Sequence, residues 1–185
     1  MTRMKELAKR IHQNAKNKGF WTDSISPAVR LMLIVGEVGE ALEAHRNGRK
    51  ADMEKYNWVT QDEDFNPEAF RNTVKDSFED ELADVVIRIL DVAEGDNVNI
   101  YRETVLREFY DFEQTEKHVG ERLFCITQDI GLALRPDGNY DAYSLASALR
   151  KVIQLAADMD INIWEHVQLK AEYNTTRQLR HGKTY

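Results

Sequence analysis

Residues 79–93 read Glu-Asp-Glu-Leu-Ala-Asp-Val-Val-Ile-Arg-Ile-Leu-Asp-Val-Ala. The apolar positions Leu82, Val85, Val86, Ile89 and Ala93 recur at intervals of three and four, the period of a helix with one buried face. Glu81 and Asp84, three residues apart, project together beside that stripe. Upstream, Gly36-Glu37-Val38-Gly39-Glu40-Ala41-Leu42 has the same construction, with Glu37 and Glu40 flanking the stripe of Leu31, Ile34, Val38, Ala41 and Leu42. If the two stripes pack together, four carboxylates meet at the edge of a core. Such a group repels itself unless a cation sits within it. An all-oxygen donor set without paired His or Cys points to a hard divalent ion, Mg²⁺, with Mn²⁺ as its substitute. Paired carboxylates on amphipathic helices are also ordinary solvated features, and periodicity alone does not separate the two readings.

The remainder of the chain reads as all-α. Met4, Leu7, Ile11 and Ala15 predict a helix over 3–17, stopped at Gly19. Ser26-Pro27 is a cap followed by a favoured first helical residue, opening a helix to Arg46. Residues 47–65 read as a long polar connection holding Asp52, Asp62, Glu63, Asp64 and Trp58. Asn66-Pro67 repeats the cap and predicts one helix from 67 to Glu94. Further helices are expected over 100–118, 121–135, from Asp141 to Asp158, and from Ile163 to Leu179. No stretch reads as a strand.

With 185 residues, 42% hydrophobic and 31% charged, the chain suits a single folded domain. A net charge of −7 argues against stable nucleic-acid binding, which needs a basic surface. It leaves room for an anionic nucleotide substrate bridged by a metal. The single cysteine, Cys125, cannot form an internal disulfide, and neither a signal segment nor a membrane span is legible, so a cytoplasmic setting is expected. No Gly-x-x-x-x-Gly-Lys loop is present. None of the five histidines follows a Glu by three residues, as a ferritin-like di-iron bundle would require.

The second half echoes the first. Leu31–Leu42 lies over Leu123–Leu134 at a shift of 92, with Leu31/Leu123, Ile34/Ile126, Gly39/Gly131, Ala41/Ala133 and Leu42/Leu134 identical. Leu82–Ile100 lies over Leu145–Ile163 at a shift of 63, matching Leu82-Ala83 with Leu145-Ala146 and Asn99-Ile100 with Asn162-Ile163. Glu37, Glu40, Glu81 and Asp84 become Asp129, Leu132, Ser144 and Ser147, so the second copy loses the acids. Lys170, Asn174 and Arg177 stand over Arg107, Asp111 and Gln114. The expectation is a pseudo-dimer within one domain of 1–185. Residues 1–118 carry the acidic metal site, and a degenerate second repeat, 119–185, carries basic phosphate contacts. The chain would act as a monomer or a homodimer.

Glu37-x-x-Glu40 followed by Glu81-x-x-Asp84 resembles the signature of the MazG-like, all-α nucleoside triphosphate pyrophosphohydrolases. Lys18-Gly19-Phe20-Trp21, residues 74–84, Lys170-x-x-x-Asn174-x-x-Arg177 and His181-Gly182-Lys183 extend the resemblance over nearly the whole chain. Two departures stand out: Gly36 occupies a position where many relatives carry Glu, and the gap between the acid pairs is longer than in compact members.

The resemblance implies a helical bundle and Mg²⁺-dependent cleavage of an NTP or dNTP to monophosphate and pyrophosphate. Glu37, Glu40, Glu81 and Asp84 would be the metal ligands, with Glu37 or Glu40 also taking the proton of the attacking water. Lys170, Asn174, Arg177 and Lys183 would meet phosphate, and Phe20, Trp21 and Trp58 are candidates for the base. Phe20 and Trp21 read equally as core plugs, and Trp58 as a surface anchor. A phosphoribosyl-ATP pyrophosphatase and a non-catalytic helical interaction module are the alternatives.

Overall fold

The computed structural model describes residues 2–22, 25–61, 65–101 and 118–182. Among these, eight α-helices follow one another: α1 (Thr2–Asn17), α2 (Pro27–Arg46), α3 (Met53–Thr60), α4 (Pro67–Thr73), α5 (Phe78–Gly95), α6 (Val119–Leu132), α7 (Ala142–Asp158) and α8 (Ile163–Thr176). A 3₁₀ turn, Leu179–Gly182, comes last. The only extended pairing among the described residues is an isolated bridge between Leu134 and Tyr140. No described helix is long and apolar enough to cross a membrane.

The quoted stretch forms the axis of the molecule. Thirteen of the residues of α5 are buried, Asp80, Glu81 and Asp91 among them. A helix that buries nearly its whole circumference must be enclosed, and α1, α2, α7 and α8 all pack on it. Leu82, Val85, Val86 and Ile89 meet Ile34, Val38 and Ala41 of α2 in one main core.

Side-chain caps begin α2 and α7 as the sequence requires: Ser26 Oγ accepts from the Val29 N–H at 3.4 Å, and Asp141 Oδ2 from that of Ser144 at 2.9 Å. Several boundaries differ from expectation, among them the helix foreseen over 121–135, which runs from Val119 to Leu132. The single helix foreseen over 67–94 is two, because Asp76 turns left-handed (φ 63°) and Ser77 caps a new start by accepting from the Asp80 N–H at 3.2 Å. Buried Val74 and Phe78 stand on either side of this break and imitate continuous periodicity.

The polar connection after α2 contains α3, capped by Asp52. Its Tyr56 joins Ala69, Phe70, Val74 and Tyr173 in a second, smaller core. The last helix ends at Thr176 rather than Leu179, with Arg177 extended. Of the helix expected over 100–118, Ile100 and Tyr101 are helical; Val105, Leu106, Arg107, Phe109, Tyr110, Asp111, Phe112 and Gln114 lie outside the described residues, as do Asp62, Glu63 and Asp64.

The two sequence shifts reappear as bonds. After α5, Val98 N–H donates to Ala93 C=O at 2.8 Å and Ile100 N–H to Val98 C=O at 2.9 Å; after α7, Ile161 donates to Ala156 and Ile163 to Ile161, both at 2.9 Å. Each turn carries a left-handed residue at the matching place, Asn97 (φ 55°) and Asp160 (φ 57°). Glu37–Arg88 (3.0 Å) and Asp129–Lys151 (2.8 Å) are ion pairs at equivalent positions. Arg30–Asp96 (2.8 Å) has its counterpart in Arg122–Asp158 (2.7 Å), displaced by one residue at the acid. Packing follows the same plan: α2 lies on α5, α6 on α7, and the pairs meet through α2 with α6 and α5 with α7.

Two glycines test the packing with opposite signs. A Cβ at Gly36 meets no atom within 4 Å, whereas one at Gly95 would stand 2.1 Å from the Trp21 ring and 2.7 Å from His12 Cε1. Gly36→Ala should stabilise the protein by ~0.5–1 kcal/mol, the usual gain in a helix. Gly95→Ala should destabilise it by ~1–3 kcal/mol through overpacking. Urea denaturation of the two variants checks both signs.

Candidate functional site

A cavity of about 400 Å³ opens between α1, α2, α5 and α8. Seven acidic and five basic side chains line it. Its acidic wall is the i, i+3 pairs brought together by packing of α2 on α5. One carboxylate oxygen from each of Glu37, Glu40 and Glu81 lies within 4.8 Å of the others. Glu37 and Glu81 are buried and Glu40 is exposed. Burial, followed by the charge of Asp84, pushes Glu81 up to about 8. Burial and Asp84 also raise Glu37, against the pull of Arg88. Oxygens around an octahedral Mg²⁺ stand ~3–4.2 Å apart, from metal–oxygen distances of about 2.1 Å. The three carboxylates therefore fit a hard divalent ion with small adjustments. An ion there would also offset the burial and the repulsion that raise Glu37 and Glu81.

Asp84 is placed differently. It lines the cavity, but its Oδ2 lies 2.8 Å from Lys170 Nζ, and Asp80 Oδ2 lies 2.7 Å from the same nitrogen. Lys170 is buried, with a side chain only 4% exposed. Burial alone would push the ammonium down; Asp84 and Asp80 together overcome that and raise it. Two of its three N–H donors are thus engaged. Asn174, one turn on, is buried on the cavity wall and its Oδ1 has no hydrogen-bond partner. Buried amide atoms are almost always satisfied, so an unpartnered one on a cavity wall fits a ligand contact. Arg177 completes the basic side from the extended residue after α8. Lys183 and the side chain of His181 lie outside the described residues.

The Lys18-Gly19-Phe20-Trp21 segment closes the far end. Lys18 Nζ donates to the Thr175 carbonyl at 2.7 Å and to that of Arg177, tying the turn after α1 to the end of α8. Arg180 N–H returns to the Lys18 carbonyl at 2.8 Å. Gly19 is left-handed (φ 77°), which lets the chain reverse there. Phe20 faces the cavity. Trp21 does not; it lines a small adjoining pocket, with the Arg30 guanidinium 3.9 Å over its ring. Trp58 lies on α3, 76% exposed and outside the cavity lining.

Several lining residues escaped the sequence reading. Arg88 bonds to Glu37 across α2 and α5. Arg10 and Lys75 add positive charge. Asp80, given no role by the sequence reading, is completely buried against Lys170. The available signal was position: on a helix enclosed all round, every polar residue has to be accounted for.

No family model matches the chain, and comparison with curated proteins and with solved structures gives no significant match.

Two outcomes follow. In its unfolded form Glu81 titrates near 4.5, and in the fold near 8. Between these values the native state holds the extra proton, so stability falls as pH rises through that window. Without divalent cations, the urea midpoint should be lower at pH 8 than at pH 6; saturating Mg²⁺ should shrink or reverse the difference by taking the proton's place. Lys170→Met should destabilise the protein by ~3–5 kcal/mol, because it strands the fully buried Asp80 carboxylate and leaves the half-buried Asp84 without its partner; equilibrium unfolding measures it.

Proposed function

We propose that this chain is a Mg²⁺-dependent nucleoside triphosphate pyrophosphohydrolase of the MazG-like all-α type, converting an NTP or dNTP to its monophosphate and pyrophosphate. The observation that carries the reading is the meeting, in one cavity, of the Glu37–Glu40–Glu81 cluster with Lys170, Asn174 and Arg177 on the opposite wall. A lining with more acids than bases repels a polyphosphate unless a cation lies between them. Phosphoryl transfer needs little covalent help and much charge neutralisation and positioning, which such a wall is suited to provide.

Glu37, Glu40 and Glu81 would hold Mg²⁺, with Asp84 beside them on the same face of α5. Bound there, the ion would neutralise phosphate charge and acidify a coordinated water. The protein's own groups do the rest. Arg88 fixes the Glu37 carboxylate through a bond of 3.0 Å from its Nε. Glu37 or Glu40 accepts the proton of the water that attacks the α–β linkage. Lys170, with one N–H left, and Arg177 hold phosphate oxygens, and the Asn174 amide contributes a neutral contact.

We further propose that the chain is a pseudo-dimer with one site. The acids come from the first repeat and the phosphate contacts from the second. The repeated turn bonds and the paired salt bridges support a common ancestry for the halves. In the second half Asp129–Lys151 remains as structure only, without the other acids.

The test is release of pyrophosphate and monophosphate from a panel of NTPs and dNTPs with Mg²⁺, beside Glu81→Gln. Wild type should produce both products. The variant should lose roughly a hundredfold or more of the rate, the scale of removing an essential acid–base or metal group, while folding at least as stably in metal-free buffer. Pyrophosphate from neither protein with any nucleotide, with Mn²⁺ also tried, would overturn the reading.

A further inference from the structure

Part of the cavity lining is unlike the acidic cluster. Ile11 and Ala15 of α1, Phe20, and Ile87 of α5 form apolar walls, and one carboxylate, Asp91, stands among them. Asp91 lies seven to ten residues beyond Asp84 and Glu81, ~10–15 Å along the axis of α5. An extended nucleotide covers such a span between its polyphosphate and the edge of its base.

Asp91 is held with unusual care. His12 Nδ1 lies 2.8 Å from Oδ1, and Trp21 Nε1 donates to Oδ1 at 2.9 Å and to Oδ2 at 3.1 Å. Trp21 is itself fixed by Arg30 over its ring, by the edge of His12 at 4.6 Å, and by Gly95, where any side chain would collide with it. Arg88, one turn earlier on the same face, is turned to Glu37. The donors converge on Oδ1, leaving Oδ2 with acceptor capacity. Asp91 lines the cavity and keeps 13% of its side chain exposed.

We propose that Asp91 selects the base: the remaining lone pair of Oδ2, which Trp21 only shares with Oδ1, accepts a hydrogen bond from an exocyclic amino group, favouring cytosine, adenine or guanine over uracil and thymine. The inference rests on the nucleotide reading above and names the substrate class within it. A carboxylate offers acceptors only. An amino N–H satisfies it, whereas the carbonyl that replaces that group in uracil brings two acceptors together. Trp21 then serves as a positioning residue for Asp91 rather than as a stacking surface, and Phe20 provides the apolar contact.

Binding of monophosphates tests this without any reaction. By calorimetry with Mg²⁺ present, dCMP should bind wild-type protein about tenfold or more tightly than dUMP, the scale of one base-edge contact. Asp91→Asn, which can present an N–H, should bring the ratio to about one or invert it. On the wild type, the N4,N4-dimethyl analogue of dCMP, which has no N–H, should bind as weakly as dUMP; this arm remains decisive if the variant folds poorly. Equal affinities for dCMP and dUMP, a preference for dUMP, or undisturbed binding of the dimethyl analogue would overturn the assignment. Pyrophosphate release from dCTP is scored separately. A dCMP preference without pyrophosphate would remove the reaction class and keep the base contact, whereas pyrophosphate released with equal dCMP and dUMP affinities would do the opposite.

Discussion

Lys170 between Asp80 and Asp84 is the interaction on which the site's geometry depends. An ammonium and a carboxylate with almost no exposure are tolerable only together, and only at hydrogen-bond distance. That requirement fixes more than two side chains. It sets the rotation of α8 about its axis and its level along α5. With Lys170 pointed inward, helical spacing brings Asn174, one turn later, to the same cavity wall. The chain leaves α8 at Arg177, whose carbonyl then receives Lys18. The turn after α1 is thereby tied to the end of α8, and Phe20 is brought to the cavity lining. One buried charge pair thus determines how the second half presents its polar residues to the first.

The fold was legible where burial follows period. Leu82, Val85, Val86 and Ile89 announced α5, and Ser26-Pro27 and Asp141 announced their helices because caps are local chemistry. The break at Asp76-Ser77 was hidden by buried apolar residues on both sides of it, since periodicity reports burial and not continuity of hydrogen bonding. The helix α3 was hidden because its outer face is polar and its inner face contributes only Tyr56 and Thr60 to buried contacts.

At the site, Glu37, Glu40 and Glu81 could be grouped by spacing, and their approach is what spacing means on packed helices. The environment of Asp84 could not be read in this way. Its neighbour Lys170 is 86 residues away in sequence, and nothing in either local pattern says that they meet. Trp21 and Trp58 show the same limit for aromatics. One is locked under Arg30 beside Asp91, and the other stands in the open on α3, although both read as candidates for stacking.

The two matching helix pairs, α2 with α5 and α6 with α7, differ in how their acids are balanced. Each copy keeps a cross-helix ion pair at the same place, Glu37 with Arg88 and Asp129 with Lys151, which joins its two bundle helices. In the second copy that pair is self-sufficient: one acid meets one base, and Leu132, Ser144 and Ser147 add no charge. In the first, Glu40 and Glu81 stand beside an acid that Arg88 has already paired, and burial, followed by the charge of Asp84, drives Glu81 up to about 8. A bundle needs only the balanced version to hold together. The unbalanced version carries repulsion that the fold itself does not require, and burial makes that repulsion more costly. A structural role accounts for Asp129–Lys151; the excess acid around Glu37 has no such account within the fold, and it is this excess that the proposed cation would balance.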